Sequence, residues 1–225
     1  DSNQLMPLKP KFFIFDVILA SIVLFPIILS PTSRMIGSEK VDIWNHVWGT
    51  WWWQHSLLQG DLPWSTTLLH YPNGGTLWFI DPVLAILGTP LSLLSVPLAY
   101  NTSLLLYLAF ASWAARRFAI ALKASASASW VASIVFVASA WMVSEVHNGI
   151  TEAVNIGPVA LALAWVEDAA QEKIQPFRAW AKAGLGIGLA TMASPYLGLG
   201  VGIAALIRGI PKIQYGWLGG GCTLI

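Results

Sequence analysis

Residues Leu98–Arg117 read LAYNTSLLLYLAFASWAARR, a run without a charge until the closing arginine pair. A helix that crosses ~30 Å of hydrocarbon needs about 20 mostly apolar residues. The stretch therefore predicts a membrane span over 98–117. The Arg116-Arg117 pair predicts the side on which it ends, because cytoplasmic flanks collect Lys and Arg. Working outward, similar runs lie at 12–30, interrupted only by Asp16, and at 128–146, 150–168 and 183–207. The last is glycine-rich and broken at Ser194-Pro195. The first is long for a signal-peptide core, and Ser30-Pro31-Thr32-Ser33 is a poor cleavage site, so it reads as a span.

Composition agrees. Only 12 Lys+Arg and 11 Asp+Glu occur in 225 residues, 56% of which are hydrophobic, with mean hydropathy +0.65. Soluble domains carry about 25% charged residues, so a water-soluble globule and a disordered tail are both excluded. A net charge of +1 supplies no basic face for nucleic acid. The single cysteine, Cys222, excludes an internal disulfide and a cysteine-based metal cluster. The expectation is an all-α fold: a polytopic transmembrane helical bundle forming one domain over 1–225. The absent initial Met and the apolar Gly219–Ile225 end suggest a fragment of a longer protein.

The basic residues set a topology. Lys9/Lys11, Arg116/Arg117/Lys123, Lys173/Arg178/Lys182 and Arg208/Lys212 form four clusters, leaving only Arg34 and Lys40 elsewhere. With all four clusters cytoplasmic, segments between them cross an even number of times. The N-terminus is then cytoplasmic. The run 183–207 reads as two half-depth helices meeting at Ser194-Pro195 or as one tilted span, and the basic clusters favour the hairpin. Asp16 is expected to snorkel, Arg116 and Arg117 to anchor topology, and Glu167, Asp168 and Glu172 to form a wet helix end. Two segments face outward: a long first loop, 31–97, and a short turn around His147–Glu152. The loop is expected to carry amphipathic juxtamembrane helices at 41–58 and 82–96.

That loop holds the unusual composition. Seven of the 13 tryptophans fall between Trp44 and Trp78, with three of the four histidines. In VDIWNHVWGTWWWQHSLL, residues 41–58, helical spacing places Asp42, His46, Gly49 and Trp53 on one face and Trp44, Trp48, Trp51 and His55 opposite. The second face reads as an interfacial aromatic belt. The first sets a carboxylate and an imidazole one turn apart. Asp42 reads as a helix cap or as a reactive carboxylate, and His46 as its partner. Asp81, before Pro82, is placed to cap the next helix or to bind substrate. Asn73-Gly74-Gly75 reads as a turn, with exposed N–H groups as the alternative. Asn101-Thr102-Ser103 matches a glycosylation sequon at a membrane boundary. Glu145, His147 and Glu152 are ionisable groups in the second outer turn, where such groups tend to be functional. Carboxylates from the two outer segments, Asp42 and Glu152, with imidazoles nearby, are a candidate Mg²⁺ or Mn²⁺ site, although their spacing matches no metal motif.

The order of these pieces resembles the GT-C superfamily of membrane glycosyltransferases over roughly residues 9–210. The pieces are Val41-Asp42-Ile43-Trp44-Asn45-His46, Tyr71-Pro72-Asn73-Gly74-Gly75, Phe79-Ile80-Asp81-Pro82, Ala114-Ala115-Arg116-Arg117 and the glycine-rich Gly184–Pro195. The resemblance implies a sugar donor on a polyprenyl phosphate or pyrophosphate. It implies an outer-loop carboxylate acting as general base or metal ligand, the place taken here by Asp42, with a second acidic position near Glu152. It also implies an enzyme of the inner (plasma) membrane that faces outward. The adjacent Asp-Glu pair of many members is absent; Glu39 and Asp42 are three apart. A leaving phosphate needs cationic stabilisation, and Arg34 and Lys40 are the outer-side cations for it. His147 and Trp53 are further candidate substrate contacts. The competing readings are a transporter or flippase, which wants polar groups inside its spans, and a non-catalytic assembly subunit.

Overall fold

A computed structural model describes residues 10–76, 81–172 and 175–221. Lys9, Trp78, Phe79, Ile80, Lys173 and Cys222, singled out above, lie outside the described residues, as do the side chains of Lys11 and Lys212. The chain is mostly helical. Its elements run α1 (Pro10–Val23), α2 (Ile43–Gln59), β1 (Ser65–Thr66), β2 (Gly75–Thr76), α3 (Pro82–Ser92), α4 (Val96–Ala121), α5 (Ala126–Val137), α6 (Ala140–Asn148), α7 (Thr151–Val154), α8 (Gly157–Gln171), α9 (Pro176–Ala193) and α10 (Pro195–Gly221). Among the described residues, three helical stretches are long and apolar enough to cross a membrane: Val96–Ala121, Ala126–Asn148 and Thr151–Gln171.

The first helix is shorter than the expected 12–30. Helix α1 stops at Val23, short of Ser30, and a 3₁₀ turn follows at Ile27–Leu29. Pro26 explains the stop: it donates no backbone N–H and disfavours helix in the residue before it. Phe13–Val23 is too short to cross on its own. Asp16 is buried rather than snorkelled. The helix expected at 82–96 ends at Ser92, and α4 begins at Val96.

Two compact units form. One joins Leu8–Phe110 with Val137–Asn155. Inside it α2 packs on α3, where the Thr50 methyl meets Gly88 at a distance that leaves little room for a Cβ. Its core holds Leu84, Ala85, Tyr100, Leu104, Met142 and Val146. Asn101 ties the loop after α1 to α4, donating to Pro31 O at 2.9 Å and Arg34 O at 2.7 Å. The sequon asparagine is thus a buried structural clamp. β1 and β2 pair antiparallel, so Gly75 closes a small ribbon.

The other unit contains Ala111–Phe136 and Ile156–Ile225. Helices α8, α9 and α10 pack through small residues, as closely packed membrane helices do. Ala162 with Ala190 and Val201 forms one cluster, and Val166 and Ala169 with Ala183 and Ala205 another. Trp180 lies across from Gly209, and Thr191 across from Gly198. This pairing makes α9 and α10 an antiparallel hairpin, so the single tilted span over 183–207 is excluded and the break at Ser194-Pro195 stands. The acidic residues are not simply wet. Asp168 pairs with Arg117, and Glu167 receives two hydrogen bonds of 2.8 Å from Arg208. Arg116 is fully buried against Ser112 and the Trp130 ring, 4.3 Å from its centroid, rather than lying at a surface as an anchor.

Candidate functional site

The site grows from Ile43 in the first unit. Gly149 ends α6 with φ 78°, and a Cβ there would lie 2.8 Å from the Ile43 Cβ. That approach seats the first turn of α2 on the α6–α7 turn. His46, one turn along α2, then faces the start of α7. Its Nδ1 lies 2.9 Å from the Thr151 hydroxyl and its Nε2 3.0 Å from Glu152 Oε2. The two segments that the sequence reading expects to face outward therefore meet through His46 and Glu152.

The ring and Thr151 are buried, whereas the Glu152 side chain is 36% exposed. Oε2 is buried and, beside its ion-pair contact with Nε2, has no hydrogen-bond partner. The Tyr100 hydroxyl and Asn155 Nδ2 are also buried without a hydrogen-bond partner, and Tyr100 lies within electrostatic reach of Glu152. Unsatisfied buried polar groups call for an explanation such as a water or ligand.

Asp81 is the deep end. Its Oδ1 accepts from Val83 N and Leu84 N, both at 3.0 Å, which is the cap expected before Pro82. Its Oδ2 accepts from the Tyr107 hydroxyl at 3.0 Å. Burial pushes the carboxyl up to about 6, against the opposing pull of the Leu84 N–H, Tyr107, His46 and Thr151.

The remaining candidates are mostly exposed. Asp42 is exposed and makes no capping hydrogen bond, so the capping reading is corrected. His147 is exposed, with Nδ1 2.8 Å from Val143 O of its own helix. Arg34 and Lys40 are exposed. Trp53 meets Trp64 edge-on at 5.3 Å. Trp48 and Trp52 stack at 5.8 Å, and Trp51 stacks on His55 at 4.9 Å, so three members of the expected belt face, Trp48, Trp51 and His55, lie in an aromatic cluster that also takes in Trp52. Among the described residues no group of three or more His, Cys, Asp and Glu side chains is placed to hold a metal.

Sequence reading missed Thr151, Tyr107, Tyr100 and Asn155. Thr151 adjoins Glu152 and could have been drawn in with it. The two tyrosines sit in an apolar run where only their hydroxyls set them apart. No family model, curated protein or solved structure matches this chain.

Proposed function

We propose that the chain is the membrane module of a glycosyltransferase that takes a sugar from a polyprenyl-phosphate donor at the non-cytoplasmic face. The observation that supports it best is the His46–Glu152 couple, one member from the first outer loop and one from the second outer turn. In this reading α1 and the turns that continue it to Ser30 together carry the chain across, so that the N-terminus is cytoplasmic, 31–97 lies outside, and the tryptophans of α2 rest at the lipid interface.

Glu152, partly exposed and backed by His46, is the base. It takes the proton from an acceptor hydroxyl as that oxygen bonds the anomeric carbon and the donor phosphate leaves with its electron pair. Tyr100 and Asn155 supply hydrogen bonds to the polar reactants. Arg34 and Lys40, both exposed, are the cations for the phosphate. Asp42, one turn before His46, contributes negative field at the edge of the site. No step is assigned to a metal. The test is sugar transfer from a polyprenyl-phosphate donor by the purified chain in lipid: Glu152→Gln abolishes it, and a fully active Glu152→Gln enzyme removes the reading.

One observation favours the flippase alternative. Arg116 is a buried ionisable group inside a span, and such groups often mark transport paths. Flipping of a fluorescent polyprenyl phosphate in proteoliposomes, lost in Arg116→Gln, would support it.

A further inference from the structure

The unit that contains Ala111–Phe136 and Ile156–Ile225 holds an open cleft of about 230 Å³. Arg117 of α4, Asp168 of α8, Glu172 just after α8, and Arg178 and Lys182 of α9 line it, with Trp165 of α8 beside them. Pockets for drug-sized molecules begin at about 300 Å³, so this cleft suits one small charged group. With both carboxylates ionised, the three cations outnumber the acids by one.

The lining carries more donors than its own residues satisfy. Arg208, in the same unit, shows a filled fork: its Nε and Nη2 each donate to Glu167 at 2.8 Å. Arg117 instead meets Asp168 through Nη2, while its Nε is buried with no hydrogen-bond partner among the described residues. The Trp165 Nε1 is buried and unpartnered in the same way. Guanidinium and indole N–H groups only donate, so both call for an acceptor. Arg178 donates from Nη1 to the neutral Gln175 Oε1 at 3.2 Å, and the Lys182 Nζ lies 5.4 Å from the Trp165 ring centroid. Among the described residues neither cation has a carboxylate within ion-pair distance.

The depth of the cleft points to the acceptor. As a span, the 26-residue α4 is about 39 Å long, more than the ~30 Å hydrocarbon core. Its end therefore stands among the headgroups, and Arg117 lies one turn before that end. Asp168 lies one turn before the end of α8, and Trp165 nearly one turn deeper, where indole rings line an interface. Phosphates are the anions concentrated at that level, and basic pockets between membrane helices hold them. We propose that this cleft binds one phosphate group at headgroup depth. Arg178 and Lys182 are its cations, and Arg117 Nε and Trp165 Nε1 its buried donors. A phosphodiester brings one negative charge, which matches the surplus cation, and its oxygens accept the unfilled N–H groups. The site uses none of the residues of the transferase reading and does not rest on it.

Two probes are titrated into the full chain in neutral detergent. Phosphatidylglycerol is followed by native mass spectrometry, with diacylglycerol as the lipid that lacks the phosphate. Inorganic phosphate is followed by calorimetry. The wild-type chain is expected to take up one phosphatidylglycerol saturably and no diacylglycerol. Arg178 and Lys182 are exposed, so their replacement leaves the packing intact. Arg178→Gln and Lys182→Gln each weaken binding about tenfold or more, the usual contribution of a hydrogen bond to a charged group. Trp165→Phe keeps a ring beneath Lys182 and removes only the N–H donor; it weakens binding about threefold or more. Lys123→Gln, an equal loss of charge outside the cleft lining, leaves binding nearly unchanged. Uptake of the lipid without inorganic phosphate makes the occupant a lipid headgroup, and saturable binding of inorganic phosphate makes it phosphate from solution; either supports the site. A wild-type chain that binds neither probe at a single saturable site overturns the proposal, and that result needs no variant. Unchanged affinity in the Arg178→Gln/Lys182→Gln double variant or in Trp165→Phe overturns it too, as does equal weakening by Lys123→Gln.

Discussion

Gly149 lies against Ile43 so closely that an added Cβ would sit 2.8 Å from the Ile43 Cβ and 3.2 Å from its Cα. This one contact sets the register of α2 on the α6–α7 turn, and with it the meeting of His46 and Glu152. The glycine is required twice over, by its left-handed backbone at φ 78° and by the lack of space. Gly149→Ala is therefore expected to cost about 2–4 kcal/mol from backbone strain and overpacking together. Thermal unfolding in detergent checks the cost, and the His46 NMR signals check the register. A variant with unchanged stability would show that the turn relaxes freely and does not hold α2.

Side chains at the site should separate by role in a transfer assay. Glu152→Gln and His46→Asn each lower kcat by about 10²–10⁴, the usual contribution of a positioned acid or base. Asp42→Asn has a smaller effect, because its carboxylate is exposed and touches the site only through its field. Steady-state kinetics on the three variants rank them. An Asp42→Asn loss larger than that of Glu152→Gln would return the base to Asp42.

The ranking also shows what could be read from the sequence. Helix-length apolar runs and the Ser194-Pro195 break are local signals, so 98–117, 128–146, 150–168 and the α9–α10 break came through. Asp81 before Pro82 was legible as a cap for the same reason. The site was half legible: periodicity put His46 with Asp42 on the face opposite Trp44, Trp48 and Trp51, and its position between two spans drew attention to Glu152. Their contact depends on Gly149 touching Ile43, more than one hundred residues away in the chain, and no local pattern encodes that. A carboxylate one turn from a histidine looks like a pair, and that is how Asp42 reads in the sequence. The helix turns His46 inward toward Thr151 while Asp42 remains at the solvent-facing start. Arg116 misled because an arginine at the end of an apolar run normally lies at the membrane surface, whereas the Trp130 ring and Ser112 receive this one in the interior.

Helix α9 packs on α8 through Gly186, where a Cβ would lie 2.9 Å from both the Ala162 Cα and the Trp165 ring. Backbone atoms cannot give way as a flexible side-chain end can, so Gly186→Ala is expected to destabilise by about 1–3 kcal/mol despite alanine's better helix propensity. Gly184, with nothing within 4 Å of its added Cβ, is the control on the same helix. Gly184→Ala is expected to be neutral or stabilising by up to ~1 kcal/mol. Paired thermal denaturation of the two variants tests the assignment, and equal effects would refute it.

Asp81 gives the fold a pH dependence of definite sign. Its carboxyl titrates at about 6 when folded, against 3.8 ordinarily, because burial disfavours the charged form. The folded chain therefore binds more protons than the unfolded chain between those two values, and stability falls as pH rises through that window. Below about pH 4 both states are protonated and the effect vanishes. Above pH 6 the ionised, buried carboxylate costs about 3 kcal/mol, roughly two pKa units at 1.36 kcal/mol each. Asp81→Asn removes the charge and keeps a cap, since an amide oxygen can accept from the Val83 and Leu84 N–H groups. The Tyr107 hydroxyl can rotate to accept from the new amide. Asp81→Asn is therefore expected to melt higher than the wild-type chain at pH 7, with the difference shrinking toward zero as pH falls to about 4. Melting curves in detergent across that range measure it. A difference constant with pH would mean that Asp81 acts through packing rather than through its charge.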